Sequence, residues 1–600
     1  MILILGGTTE GRLAVRVADA AGSPYWYSTR GDLQQIDCKH GTHISGAMDE
    51  PAMSAFCQEH GIRLLVDAAH PFATELHRTV AAVAESLDLP AVRVERIYEM
   101  PGQAGGIRWC DDYADAVLRL EADGITRLLA LTGVQTIGKL RDYWSKHDCW
   151  FRILHRDESL EKARQQGFDP ARLMYYEEDD EAALIARLRP QAILTKESGE
   201  SGGFSQKRAA ARGAGIPLYA VRRPALPSGF EVVTGEHGLR KAIERLVPGF
   251  FPLRSGFTTG ACATAASKAA LMALLGQETG ETVGVLFPDG ERLFLPVTEV
   301  RCLDARSAIA TVIKDAGDDP DITNGRAIVS TVAFSDKPGI HFLQGEGVGR
   351  VTLPGLGLPI GGPAINRVPQ QMISQELSAL YSGGLDVTVS VSGGRELAQR
   401  TFNPKLGIVD GISIIGTSGI VRPFSNEAFV DAIRREVEVA IAVGAQQLVI
   451  NSGAKSEAFL KSRFPELPPQ AFVHYGNFIG ETLRIASDLH VPRVTMGIML
   501  GKAVKLAEGH LDTHSKSVVM NKAFLKEVVL GAGCSPAAAE AIDRLTLARE
   551  LWTALAEDDA RRFFSAILSR CYTACATVYD RASLTILLLD EFGAIFTPPA

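Results

Sequence analysis

The feature that most constrains this chain is a second beginning in its middle. Arg254-Ser255-Gly256-Phe257-Thr258-Thr259-Gly260 is a polar, glycine-bearing loop. It runs straight into an alanine-rich stretch, Ala261 to Leu275, with no breaker before Gly276. Such a run predicts a helix. Val247-Pro248-Gly249-Phe250-Phe251-Pro252 precedes it and reads as a connecting segment. One complete α/β pattern lies before that segment and a different one after it. A 600-residue chain exceeds one domain, since a domain typically takes about 100–200 residues. The expected division is residues 1–246, a linker at 247–252, and residues 253–600.

Charge and composition exclude several classes. With 62 basic and 70 acidic residues, the formal net charge of −8 argues against a general nucleic-acid binder. No apolar run reaches eighteen residues, so no membrane span is expected. Met1 to Leu5 is apolar, but glycines follow at once and no basic region precedes it, unlike a signal peptide. None of the nine cysteines forms a C-x-x-C pair, and Cys571/Cys575 is the closest spacing. Free thiols in a reducing cytoplasm are the expectation, with no protein metal site.

In the first half, Ile2 to Leu5 reads as a strand, Gly6-Gly7-Thr8-Thr9-Glu10-Gly11 as a tight loop, and Arg12 to Ala21 as a helix. A doubly wound fold presents backbone N–H groups to a phosphate in this way. The dinucleotide fingerprint G-x-G-x-x-G is incomplete, because Thr8 stands at its second glycine. The next strand, Pro24 to Tyr27, ends in Ser28-Thr29-Arg30. Hydroxyls and an arginine there suit a 2′-phosphate better than a bare ribose. Further strands are expected at 64–67, 128–131, 151–154, 192–195 and 217–221. Three are followed by candidate ligand turns: Ala68-Ala69-His70-Pro71-Phe72-Ala73, Thr132-Gly133-Val134-Gln135 and Lys196-Glu197-Ser198-Gly199-Glu200-Ser201-Gly202-Gly203.

The blocks at 4–10, 67–73 and 195–199, followed by Lys207 and Ile216-Pro217-Leu218, resemble the precorrin-6A reductase family over residues 1 to about 246. The resemblance implies a two-lobed Rossmann-like enzyme that reduces one double bond of a corrin-precursor macrocycle with NADPH or NADH. Gly6, Gly7, Thr8, Thr9 and Glu10 would form its dinucleotide loop, with Ser28, Thr29, Arg30 and Gly133 as further cofactor contacts. The turns at His70 and at 196–203 would line the cleft. Cofactors do hydride transfer, and the protein positions them. A proton is needed as well; His70 is a candidate because an unperturbed imidazole titrates near neutrality, and solvent is another. Lys196, Ser198, Lys207, Arg208, Arg222 and Arg223 are candidates for the macrocycle's carboxylate arms.

The second half is dense in glycine blocks with little helical periodicity between them. Asp315 to Asp321 packs four aspartates into seven positions without the calcium-loop spacing, and a turn capped by Asp side chains is the alternative. Gly345 to Gly357 is too glycine-rich for a packed strand and allows a tight turn or close backbone approach to a ligand. Gly411 to Val421 reads as a strand entering a Gly/Thr/Ser loop before a helix near Ser425. Leu448-Val449-Ile450 then leads into Asn451-Ser452-Gly453. His510-Leu511-Asp512-Thr513-His514-Ser515 does not match H-E-x-x-H. Beyond Leu525 alanine-rich amphipathic helix is expected.

The blocks at 255–260, 314–321, 347–349, 364–366, 403–404, 411–421 and 513–515 are similar to the cobalt-precorrin-5B C1-methyltransferase family, in family order over nearly all of 253–600. Met499-Leu500 and Asp512 depart from its pattern. The resemblance implies a multi-lobed α/β unit with S-adenosylmethionine as methyl donor and ring carbon C1 as acceptor. Gly416, Thr417, Ser418, Gly419, Asn451 and Gly453 are the donor-site candidates. Thr258 and Thr259 are candidates for substrate, and Asp315, Asp318 or His514 for the proton lost from the ring. Together the two halves imply a bifunctional enzyme of the anaerobic cobalamin route. Its partners would be cobalt-corrinoid precursors, with neither nucleic acid nor membrane, and a homo-oligomer is left open. A generic oxidoreductase–transferase fusion and a tetrapyrrole-binding protein with one inactive half are the alternatives.

Overall fold

The computed structural model describes residues 1–31, 36–98, 106–176, 180–514, 519–579 and 583–596. The chain divides into two units: Met1–Arg254 with Asp289–Leu293, and Ser255–Pro288 with Phe294–Ala600.

The first unit holds two six-stranded sheets. In one, the order is Gly41–Ser45, Tyr25–Thr29, Ile2–Leu5, Leu64–Asp67, Ala91–Glu95, Phe230–Thr234. In the other it is Leu173–Tyr175, Asp148–Ile153, Arg127–Ala130, Ala192–Lys196, Leu218–Val221, Ile107–Cys110. Every strand pair in both sheets is parallel. Both lobes are thus doubly wound. Their strand order reverses beside Ile2–Leu5 in one and beside Arg127–Ala130 in the other, and ligands enter such folds at that reversal. After the second lobe the chain returns to the first as strand Phe230–Thr234 and helix Gly235–Leu246. The stretch 247–252 is not loose: Val247, Phe250 and Phe251 are buried in the first lobe's core.

Each expected strand is present within a few residues. The sequence reading does not anticipate Gly41–Ser45, Ala91–Glu95, Ile107–Cys110, Leu173–Tyr175 or Phe230–Thr234. Gly41–Ser45 and Phe230–Thr234 are edge strands with mixed burial, so a buried apolar run could not mark them. Ala91–Glu95 is buried throughout yet carries Arg93 and Glu95, charges that disguise a central strand.

In the second unit, helix Thr259–Leu274 is the centrepiece, buried at every position from Thr259 to Leu271 except Lys268. Its alanines let it lie close against a five-stranded sheet ordered Glu299–Cys302, Ser307–Ile313, Ala327–Ser335, Gly384–Val391, Ile340–Gln344. The Ser267 and Ser330 hydroxyls meet at 2.8 Å across that interface. Lys268 turns aside to Glu376, 2.6 Å away, and to the Gly284 carbonyl. A second sheet has parallel strands Phe472–His474, Leu448–Asn451, Arg493–Met499 and Ser583–Leu589, with Ile595–Phe596 antiparallel at its edge.

Three expectations need correcting. Gly411 to Val421 is not a strand–loop–helix cradle: Ile412 and Ile414 make only isolated bridges, although helix Asn426–Ala442 does begin where expected, capped by Ser425. The region before 525 holds more helix than its weak periodicity suggests, including Asn426–Ala442, Ala454–Arg463, Ile479–Asp488 and Leu500–Ala507. The end of the chain is not only helix, because Ser583–Leu589 joins the parallel sheet.

Gly256 shows why the start motif needs its glycine. A Cβ there would lie 2.0 Å from the Ala316 carbonyl carbon. Backbone cannot step aside as a side chain can, so Gly256→Ala is expected to destabilise by about 1–3 kcal/mol, the range of an overpacked core. Urea denaturation followed on the second unit's signal checks this.

Candidate functional sites

In the first unit the sequence-predicted turns come together. The Gly6–Glu10 and Ala68–Phe72 turns flank the reversal of the first sheet, and the Thr132–Gln135 and Lys196–Gly203 turns flank that of the second. Gly7 has φ +97°, which only glycine adopts easily, and an added Cβ there would meet nothing within 4 Å. Its N–H donates to the Tyr27 hydroxyl at 3.0 Å. Thr8, in place of a fingerprint glycine, caps helix Thr9–Asp19 by accepting from the Gly11 N–H and donates to the Ala68 carbonyl at 2.7 Å. The two turns at this reversal are therefore tied to each other. Ser28 and Thr29 are buried, and the Thr29 hydroxyl is held by the Gly31 carbonyl and His43, while Arg30 is exposed. Gly133, at φ +80°, opens the turn in which the Thr132 and Thr136 hydroxyls meet at 2.6 Å.

His70 differs from its sequence-based expectation. Its Nδ1 accepts from the Phe72 N–H at 3.1 Å, so a neutral ring carries its proton on Nε2. Burial, then the charges of Lys196, Arg96 and Arg93, push its pKa down to about 3. It is not a standing imidazolium at neutral pH. Lys196 lies with its ammonium 5.4 Å from the centre of the Phe72 ring. Burial and the nearby Lys207, Arg96 and Lys139 charges lower its pKa to about 8. Lys207 is buried, donates to the Gly202 carbonyl at 2.9 Å, and is lowered by burial to about 8. Ser198 is buried and donates to the same carbonyl.

Beneath these turns lies a charge network that the sequence reading misses. Asp67, fully buried, accepts from Arg93 at 2.7 Å and from the Ala69 N–H, and meets His77 Nδ1 at 2.5 Å. Burial alone would raise its pKa, but the His77 hydrogen bond and the Arg93 charge hold it below the ordinary carboxylate value. Glu95 lies 3.6 Å from Arg93 and 3.2 Å from Arg223, and Arg223 packs over the Tyr98 ring. The one sequence signal was the presence of arginine and carboxylates inside otherwise apolar strands.

In the second unit the candidate residues fall into two groups. Thr258 caps helix Thr259–Leu274 through its hydroxyl, and Thr259 exchanges hydrogen bonds with the backbone of Ile415. The space above Gly416 is filled by Thr258, and that above Gly419 by the Phe287 ring. Asp315 accepts from the Gly317 N–H at 2.8 Å, Asp321 pairs with the buried Lys314 at 2.5 Å, and Asp319 accepts from the Phe424 N–H. The aspartate-rich segment is thus a capped turn that closes on the 416–424 loop. Thr258, Thr259, Asp315, Gly416, Thr417, Ser418 and Gly419 gather here.

The other group sits at the carboxyl edge of the parallel sheet. Its strand order reverses between Leu448–Asn451 and Arg493–Met499. Asn451 is buried and accepts from the Gly453 N–H, and Gly453, at φ +154°, faces open space. His474 pairs in register with Asn451, forms an ion pair with Glu457, and packs edge-on to Phe402 beside the Asn403-Pro404 block. Glu457 is held at about 2 against the upward push of burial, first by the His474 hydrogen bond. Lys502 donates to the Gly476 carbonyl and to Asn477 at 2.6 Å, and burial lowers its pKa to about 8. The Thr513 N–H donates to the Asn477 carbonyl, and the His514 N–H to Asp512. Asn451, Gly453 and His514 therefore share this edge, and Asp315 belongs to the other group. Ser515 lies outside the described residues. His474, Glu457 and Lys502 were missed because no motif spacing links them.

These features define the class: a doubly wound, two-lobed α/β unit followed in the chain by a second α/β unit with its own parallel sheet. Residues 1–245 match the family described as precorrin-6x reductase CbiJ/CobK; residues 249–423 match CbiD and 512–597 the CbiD C-terminal domain. The cobalt-precorrin-5B C(1)-methyltransferase of Prosthecochloris aestuarii is 43% identical over 347 residues, covering 56% of this chain and 94% of that one. That of Geobacillus sp. WCH70 is 43% identical over 324 residues, covering 53% and 88%. A solved CobK precorrin-6A reductase is 23% identical with a TM-score of 0.34, covering 41% of this chain and 97% of that one. The chain belongs to the cobalt-precorrin-5B C(1)-methyltransferase family and carries, ahead of that part, a precorrin-6x reductase of the CbiJ/CobK family. It is a fusion of two kinds of cobalamin-biosynthesis enzyme. Among the described residues no helix is long and apolar enough to cross a membrane.

The buried Asp67 anion supports a direct test. Asp67→Asn breaks the closest buried ion pair of Arg93 and leaves it only Glu95, 3.6 Å away, a change that typically costs up to about 3–5 kcal/mol. Chemical denaturation of the first unit's signal should show a loss of that size. Because the folded-state pKa of Asp67 is depressed, its contribution is fully present above the unfolded pKa and is lost as pH falls through the folded one. The Asn variant should therefore lose part of the wild type's acid sensitivity.

Proposed function

We propose that residues 253–600 transfer a methyl group from S-adenosylmethionine to C1 of cobalt-precorrin-5B, and that residues 1–246 then reduce cobalt-precorrin-6A with a nicotinamide. The observation that carries the reading is that the family motif turns of the first unit meet at its two strand-order reversals, while Thr513-His514 of the second unit's motifs lies at the reversal of its parallel sheet; doubly wound folds bind ligands at such reversals. Both reactions in one chain keep an intermediate near its next site by tethering.

In the reductase unit the residues fit a dinucleotide. The open, positive-φ Gly7 and the amino end of helix Thr9–Asp19 suit a pyrophosphate, while Arg96 pairs with the Glu10 carboxylate that would otherwise oppose it and Ser201 donates a hydrogen bond to it. Arg30, exposed past the second strand, favours a 2′-phosphate and hence NADPH. The bound nicotinamide supplies hydride. Lys196 and Lys207 hold substrate carboxylates by charge-assisted hydrogen bonds. Lys196, a cation up to about pH 8, is the better source of the accompanying proton than the neutral His70, which offers a hydrogen-bond donor at Nε2.

In the transferase unit, Asn451 and Gly453 suit the donor better than Gly416–Gly419, because Thr258 and the Phe287 ring crowd the Cβ side of Gly416 and Gly419 whereas Gly453 faces open space. The sulfonium supplies an electrophilic methyl group. The protein's part is to align the ring carbon with it and exclude water. Lys502 is placed to hold a carboxylate of either ligand.

Anaerobic incubation with cobalt-precorrin-5B, S-adenosylmethionine and NADPH or NADH, followed by mass spectrometry, tests the reading. A gain of one methyl group, then of two hydrogens only with a nicotinamide, is expected; no methyl gain would refute the transferase assignment, and no reduction the other. The reduction rate should fall as pH rises through about 8, where Lys196 loses its proton. Lys196→Met should remove that limb of the profile and lower turnover by about 10²–10⁴-fold, the usual contribution of a positioned acid.

A further inference from the structure

Arg96 belongs to no motif of the sequence and lies on the loop after strand Ala91–Glu95. Its guanidinium is buried, with two nitrogens committed in different directions. Nη2 donates to Glu10 Oε2 at 3.0 Å, in the first turn of the helix that follows the Gly6–Glu10 turn. Nη1 donates to the Ser198 carbonyl at 2.7 Å, in the turn of the other lobe that carries Lys196. Ser201, from that same turn, reaches back to the other oxygen of Glu10. The Glu200 N–H donates to the Ile97 carbonyl at 3.2 Å, adding a backbone link beside it. The far turn is shaped around this side chain: a Cβ on Gly199 would lie 2.9 Å from Arg96 Cβ, and one on Gly202 2.9 Å from Nη1. Lys207 and Ser198 both donate to the Gly202 carbonyl, so the turn that Arg96 grips also places the substrate-side cations.

Helix-terminal turns of two lobes joined by one forked, buried cation form a single mechanical unit. Guanidinium is suited to this because its donors are fixed in a plane and it cannot lose its charge. Glu10 is the shared carboxylate. A phosphate arriving at the amino end of helix Thr9–Asp19 adds negative charge beside it and changes its competition for Arg96.

We infer that Arg96 is a positioning residue that couples occupancy of the Gly6–Glu10 turn to the placement of the Lys196–Gly203 turn, so that nicotinamide and macrocycle bind interdependently. The inference rests on the reductase reading above. Thermodynamic linkage makes the coupling reciprocal: whatever factor one ligand imposes on the affinity of the other must be returned.

The test measures the Kd of NADP⁺, which cannot reduce the substrate, for the full chain with and without saturating cobalt-precorrin-6A under anaerobic conditions. In the wild type the two values should differ by about fivefold or more, the lower range of measured couplings. In Arg96→Lys, which keeps the charge but cannot span both partners, and in Glu10→Gln, the ratio should collapse towards one. A second readout uses hydrogen exchange: NADP⁺ alone should change protection of residues 197–203 in the wild type and not in Arg96→Lys. A purely structural Arg96 would weaken both ligands and lower the melting temperature while leaving the ratio intact, and that result overturns the inference. A wild-type ratio of one with both ligands bound overturns it too. Failure of the wild type to bind any nicotinamide overturns the reductase reading itself, and the inference with it.

Discussion

Parallel strands cannot be joined by a short hairpin, because each must be re-entered from the same end. Every strand-to-helix turn of a parallel sheet therefore opens at one edge, and where the strand order reverses, neighbouring turns part to leave a crevice. Three sheets of this protein obey that constraint. It explains why blocks as distant as Gly6, His70, Gly133 and Lys196 serve one unit, and why Asn451, Tyr475, Lys502 and Thr513 meet in the other. The glycine-dense blocks at 347–349 and 411 serve packing instead. A Cβ on Gly411 would lie 2.4 Å from the Gly347 carbonyl oxygen, so these glycines admit backbone to backbone.

The turns of the first unit are built over charges that water does not reach. Arg93 and Asp67 are both fully buried, and Glu95, Arg96 and Glu10 nearly so. A buried ion is costly unless it is paired, so each of these side chains fixes the position of the next. The His70 turn takes its shape from Asp67, which holds the Ala69 N–H. Burial and the neighbouring cations together decide protonation: they discharge His70 and bring Lys196 to the edge of losing its proton.

Much of this was legible in the chain. Short apolar runs broken by a polar or glycine-bearing turn marked the central strands, because burial on both faces leaves no alternation to confuse them. The alanine run after Gly260 marked the buried helix of the second unit, since only small residues let a helix approach a sheet on all sides. Gly41–Ser45 and Phe230–Thr234 left no such trace, because an edge strand needs neither continuous burial nor strict alternation. The strand at 583–589 was hidden by its helical surroundings.

The sequence by itself determined the two α/β units and the turns at their strand ends, because strand, turn and helix are set by neighbours along the chain and by the period of apolar residues. The tertiary structure alone decided which turns meet, that Thr258 and Phe287 crowd Gly416 and Gly419 while Gly453 is open, that His70 is neutral, and that Arg96 spans two lobes. Those properties depend on the distance between charges and on the depth of burial, and both arise only when residues as far apart as Glu10, Arg96 and Ser198 are folded into contact.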